Sequence, residues 1–197
     1  MIAARRIETA QAAEDCLRAQ HYGFLARILA AAPSAEILAE VAGIKGDDTV
    51  LGQSYDALAR TAAATTAKEV EAEFFELFIG VGRGELLPYT SFYLTGFLNE
   101  RPLADLRADL ARLGIAQAEG RHEPEDHIAL LFEVMAGLAH GNIAGDQAAF
   151  FNRHIAPWAA QFFDDLAIAP SARFYRALAE VGRLFVDIEA RAFALSR

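Results

Sequence analysis

Apolar residues recur along this chain at helical spacing, in blocks parted by glycine, proline and short polar turns, and nowhere in the alternation of a half-buried strand. Leu17, Tyr22, Phe24, Leu25, Ile28 and Leu29 form one apolar face and predict a first helix over about 8–31, ended by Pro33. Ser34 is placed to cap a short helix ending at Val41, 43–48 is a polar turn, and a third helix follows over about 49–64. Thr66-Ala67-Lys68-Glu69 has the form of a capping box, in which hydroxyl and carboxylate each satisfy an orphan N–H. It opens a fourth helix with Val70, Phe74, Leu77 and Phe78 on one side, and Gly80, Gly82 and Gly84 stop it.

A short helix is predicted over about 89–98. Pro102 suits the first turn of a helix ending at Leu113, with Gly114 closing it, and 114–122 reads as a polar loop. Pro124 is expected to open the next helix, whose Ile128, Leu131, Phe132, Met135 and Leu138 face inward. Helices over about 146–155 and 157–166 follow. A last one starts at Ser171 with Phe174, Leu178, Val181, Phe185 and Ile188 on its apolar face. The prediction is an all-α fold of about nine or ten helices in one domain over 1–197. Its N-terminal half (about 1–80) and C-terminal half (about 90–197) meet at a candidate hinge marked by Gly80, Gly82, Gly84 and Pro88.

Composition strengthens the helical reading. The chain has 197 residues, 54% of them hydrophobic, and is rich in alanine, which loses no side-chain entropy in a helix. One cysteine, Cys16, excludes an internal disulfide and suits a reducing cytoplasm. Arg5-Arg6 is followed by polar residues rather than by the apolar core of a signal peptide, and no run reaches the roughly 20 apolar residues of a membrane span. The net charge of −9 argues against nucleic acid and is compatible with a basic peptide.

The chemistry-bearing stretch is His122-Glu123-Pro124-Glu125-Asp126-His127. Its histidines lie five apart, not the four that put both on one face of a zinc helix, and no metal is assigned. As a helix start, Glu125 and Asp126 complement the positive end of the dipole. As an exposed recognition site, Asp126 and His127 offer a carboxylate and an imidazole to an arginine and a backbone group of a peptide. Gly80-x-Gly82-x-Gly84 follows no strand and lacks the Lys-Ser/Thr of a phosphate loop, so it reads as a helix stop, with Arg83 solvated. Tyr89, Phe92, Tyr93 and Phe97 recur at helical spacing, as core or as the wall of a groove for a partner helix. Phe150, Phe151, Trp158, Phe162 and Phe163 read as packing residues, and His21, His140 and His154 as structural or surface groups. No nucleophile signature appears, so catalysis is not called for.

Three stretches carry a resemblance. Glu73-Phe74-Phe75-Glu76-Leu77-Phe78-Ile79-Gly80-Val81-Gly82, Pro88-Tyr89-Thr90-Ser91-Phe92-Tyr93 and Glu123-Pro124-Glu125-Asp126-His127 occur in the order and at the spacing of the TorD/DmsD-type redox enzyme maturation chaperones. The chain departs from that pattern at Phe74, Leu87 and Thr90. The resemblance implies a cytoplasmic chaperone without enzymatic activity, and no cofactor is assigned. Such a protein binds a molybdopterin oxidoreductase precursor and its twin-arginine signal peptide before cofactor insertion, delaying export. It further implies that Glu123, Pro124, Asp126 and His127 belong to the client-binding element and Tyr89, Ser91 and Tyr93 to its neighbour. Which molybdoenzyme is the client, and whether a nucleotide or pterin also binds, stays open. A monomer is expected, with half-exchange at the hinge as a route to a dimer. The competing readings are a metal-dependent or nucleotide-hydrolysing enzyme built on His122, Glu123, Asp126 and His127, and a scaffold for another helix.

Overall fold

The computed structural model describes residues 2–116 and 123–195, with side chains from residue 11 onward. Among the described residues ten α-helices appear and no strand: α1 (Ile2–Ala30), α2 (Ala35–Ala42), α3 (Val50–Ala63), α4 (Ala67–Phe74), α5 (Thr90–Thr95), α6 (Arg101–Arg112), α7 (Ile128–His140), α8 (Gln147–His154), α9 (Ala159–Ile168) and α10 (Phe174–Leu195). A π-helical turn, Phe75–Ile79, continues α4 before the glycine segment. Helix α1 packs along α7, while α10 packs on α9, α3, α4 and α8.

Local chemistry sets several helix starts. The side chains of Ser34, Thr49 and Asp146 accept from Ile37 N, Gly52 N and Ala149 N, and Thr66 with Glu69 forms the complete capping box. The core joins Tyr22, Leu25 and Ile28 of α1 to Phe132 and Met135 of α7, Phe162 and Phe163 of α9, and Tyr175 and Leu178 of α10. Phe163 stacks on Phe132 with centroids 6.1 Å apart. It reaches α10 because Gly182 stands there; a Cβ at that position would run into the Phe163 ring.

Several expectations are corrected. Helix α1 begins at Ile2, earlier than the apolar pattern suggests. Leu17 and Ile188, assigned to inward faces, are exposed, because each lies at the edge of its stripe and no element covers it. Helix α9 starts at Ala159 rather than Pro157, and α10 at Phe174 rather than Ser171. The last shift has a tertiary cause. Glu73 of α4 accepts from Arg173 N (2.8 Å), Tyr175 N (2.7 Å) and Phe174 N (3.1 Å), so a carboxylate a hundred positions away caps α10.

The glycine segment is tied rather than free-standing. Gly80, at φ 61°, turns the chain back; Glu85 N and Leu86 N donate to the carbonyls of Glu76 and Leu77, and Glu85 accepts from Ser171 Oγ (2.5 Å). Arg83 is exposed but not simply solvated: its guanidinium lies 5.2 Å from the centroid of the Phe92 ring.

Candidate functional site

The segments around Pro88 and Asp126, far apart in sequence, cross in space. Thr90 N donates to the carbonyl of Asp126 (3.0 Å), Ile128 N donates to that of Pro88 (2.9 Å), and Tyr89 and His127 form an isolated antiparallel bridge. This crossing holds 124–127 non-helical, and α7 therefore starts at Ile128, not at Pro124. Cross-chain pairing has overridden the first-turn preference of proline, which instead closes a turn by accepting from His127 N (3.3 Å).

Each side chain of the motif then takes a distinct place. Asp126 is fully buried rather than exposed; its Oδ2 accepts from Ser91 N (2.7 Å) at the start of α5. The dipole it serves is thus that of α5, not α7. His127 caps α7: its Nδ1 accepts from Ala129 N (3.2 Å), which leaves Nε2 to carry the proton, 3.9 Å from Glu123 Oε1. Burial holds the imidazole pKa below its ordinary value, so the ring is neutral near pH 7. The Tyr89 hydroxyl donates to Glu123 Oε1 (3.1 Å) and its ring meets that of His127 edge-on. Burial, with Glu123 beside it, raises the Tyr89 pKa. Glu125 takes both the Nε and an outer nitrogen of Arg107 on one oxygen (2.9 and 2.8 Å). Burial pushes Glu125 up, but the Arg107 hydrogen bond, a backbone hydrogen bond and the Arg107 charge together outweigh it and leave the carboxyl below its usual value.

Glu123, Pro124, Glu125 and His127 help line a cavity of about 760 Å³ between α1, α6 and α7. Gly23, Ala26, Leu110, Leu130, Val134 and Ile143 are among the residues of its apolar wall. Sequence reading missed α1, α6 and the body of α7 as walls. Two signals for them existed: Gly23 is an exposed glycine within an alanine-rich helix, and Glu133 is the one acid in α7. A Cβ at Gly23 meets nothing within 4 Å, so the space over this turn is open.

The aromatic stripe does not line this groove. Tyr93 turns toward α9, where its ring packs on Trp158 (5.1 Å) and its hydroxyl donates to Asp165 (3.0 Å). Phe92 carries Arg83, and Phe97 is exposed. Ser91 lies buried behind the crossing with Asp126. The metal reading has no support among the described residues, where no group of three His, Cys, Asp or Glu could hold an ion; His122 lies outside them. His21 pairs with the Tyr55 hydroxyl and His154 with Asp109 (both 2.7 Å), partners that sequence distance concealed. Phe150, Phe151, Trp158, Phe162 and Phe163 are all buried, as packing residues should be. Among the described residues no helix is long and apolar enough to cross a membrane.

The sequence profile of the nitrate reductase delta subunit family matches residues 45–164. The chaperone protein TorD of Aliivibrio fischeri is 28% identical over 139 residues, covering 64% of this chain and 65% of that protein. TorD of Photobacterium profundum is 30% identical over 135 residues, covering 62% of each. The chain thus spans less than two thirds of the length of these relatives. A solved structure of a candidate redox enzyme maturation protein from Archaeoglobus fulgidus shares the fold, with a TM-score of 0.58 and 17% identity over 87% of this chain and 94% of that one.

Proposed function

The chain belongs to the nitrate reductase delta subunit family, which takes in the TorD-type chaperones, and from that premise we propose that it is a maturation chaperone whose groove between α1, α6 and α7 holds a leader segment of an unfinished partner. The partner is a molybdoenzyme precursor, and the segment is its twin-arginine signal peptide, held on the cytoplasmic side until folding is complete. The protein binds and does not transform its client. The observation that carries the reading is the union, in one cavity of about 760 Å³, of an apolar wall with the carboxylate of Glu123. A twin-arginine peptide has the matching pair of features, a cationic head and an apolar stretch.

Affinity comes from burying the apolar stretch, at roughly 25 cal/mol per Å² removed from water before the costs of association. Glu123 adds orientation and on-rate through the arginines. Asp126 and Ser91 act by holding the crossing, and Tyr89 by orienting Glu123. The protein works as a monomer, with the 80–88 segment as the exchange point of any dimer; light scattering showing only a larger oligomer would refute that.

The test is titration calorimetry with a synthetic twin-arginine leader peptide. Gly23→Leu fills open space over a helix that tolerates leucine better than glycine. It is expected to lower affinity at least tenfold while melting at or above the wild-type temperature. No binding by the wild type, or wild-type affinity in Gly23→Leu, would sink the reading.

A further inference from the structure

We infer that Glu133 is a second cation-recognition residue of the groove, so that the site takes a dibasic segment at two separate carboxylates. The inference rests on the peptide reading above. Helix α7 has the sequence IALLFEVMAGLAH, with one acid in a run that is apolar up to its last residue, His140. Glu133 lies on the face that also presents Ala129, Leu130, Val134 and Ala136 to the cavity. A carboxylate there loses water when an apolar chain lies over the groove, and the loss is offset only if the occupant brings a cation.

The charges of the groove divide cleanly. Its two cations are committed: Arg27 pairs with Glu40 (3.1 Å) and Arg107 with Glu125 (2.8 Å). Glu133 has no hydrogen bond or ion pair among the described residues. Among the described residues Glu123 holds only the Tyr89 hydroxyl and the uncharged ring of His127, at 3.9 Å. Among the described residues the uncommitted charge is therefore two carboxylates, one in the segment before α7 and one five residues into α7, about 8 Å along the helix at 1.5 Å per residue. Consecutive residues of an extended segment project to opposite sides, so two neighbouring arginines reach two acceptors set apart better than they share one. The arrangement selects a pair of arginines followed by apolar residues over a single cation.

The experiment is titration calorimetry of wild type and Glu133→Gln against three synthetic leader peptides: one with both arginines, and two with one or the other replaced by glutamine. Glu133 is exposed, so its glutamine variant should keep the wild-type melting temperature, which circular dichroism checks. The wild type should lose roughly tenfold in affinity on losing either arginine. Glu133→Gln should bind the double-arginine peptide roughly tenfold more weakly. In that variant, replacing one arginine should cost nothing more, while replacing the other still costs the full factor. Wild-type affinity in Glu133→Gln, or equal further losses at both arginines, overturns the inference and leaves the groove reading standing. Failure of the wild type to bind any of the peptides overturns both.

Discussion

Two regions of this molecule bury carboxylates, and they treat them differently. Beside α10, Glu189 receives Arg18 through both oxygens (2.8 and 2.7 Å) and the Tyr22 hydroxyl (2.7 Å), while Glu73 receives three backbone N–H groups. Arg18 is satisfied in turn by Asp15 and Gln147. At the 88–91/124–128 crossing the accounts stay open: Asp126 Oδ1 and Ser91 Oγ are buried without a hydrogen-bond partner among the described residues. In the adjoining groove Glu123 and Glu133 lack a cationic partner among the described residues. Removing a charge from water is tolerable only with full compensation. The pairing of Glu73 and Glu189 fits a scaffold role for the α10 region, and the proposed partner side is the groove, where the carboxylates keep spare acceptor capacity.

The comparison breaks most visibly at Glu189. Glu189→Ala strands a guanidinium and a phenol in the core and is expected to cost about 3–5 kcal/mol in urea unfolding. A loss under 1 kcal/mol would mean that the network is not holding α1 to α10. At the crossing, Asp126→Ala removes one capping bond from Ser91 N, and about 1–2 kcal/mol is expected by the same measurement. Because α5 loses its cap, reduced peptide binding in that variant reports a disturbed crossing rather than a lost contact. A cost equal to that of Glu189→Ala would erase the distinction.

Titration probes both regions at once. Burial lowers the pKa of His127 at the crossing, of His21 between α1 and α3, and of His154 against α6, each from an ordinary value of 6.5. The unfolded chain then binds protons that the folded one does not. Stability is complete above about pH 6.5 and falls as pH drops below it, with a slope up to about 1.4 kcal/mol per pH unit for each histidine. Unfolding midpoints between pH 7.5 and 5 would check the sign, and a rise on acidification would contradict it. The smallest stability effect belongs to the groove: Glu123→Gln should stay within about 0.5 kcal/mol of wild type, yet bind the leader peptide roughly tenfold more weakly. A stability loss of several kcal/mol would place Glu123 in the scaffold instead.

Much of the architecture was legible from local signals. The caps at Ser34, Thr49, Thr66 and Asp146 each use a side chain within three residues of the N–H it satisfies, so sequence alone locates those starts. Two of the misjudged starts, at Ile128 and Phe174, are settled by a distant partner: the Pro88 segment for one and Glu73 for the other. The motif residues Glu123, Pro124 and His127 were visible as a cluster and do line one cavity, whereas Asp126, expected at the surface, sits behind it and Tyr93 faces away.

By itself the sequence determined the class of structure, because helical periodicity, capping and breaking act over a few residues and leave their mark in adjacent letters. It likewise determined the family, through three short motifs in a set order. Tertiary structure alone decided what those motifs do in space. Burial and pairing depend on groups tens of residues away: whether a carboxylate caps a helix, neutralises an arginine or stays uncommitted follows from which helix lies across from it. Gly23, Leu110 and Glu133 share a wall only because α1, α6 and α7 pack together, a relation that no spacing along the chain records.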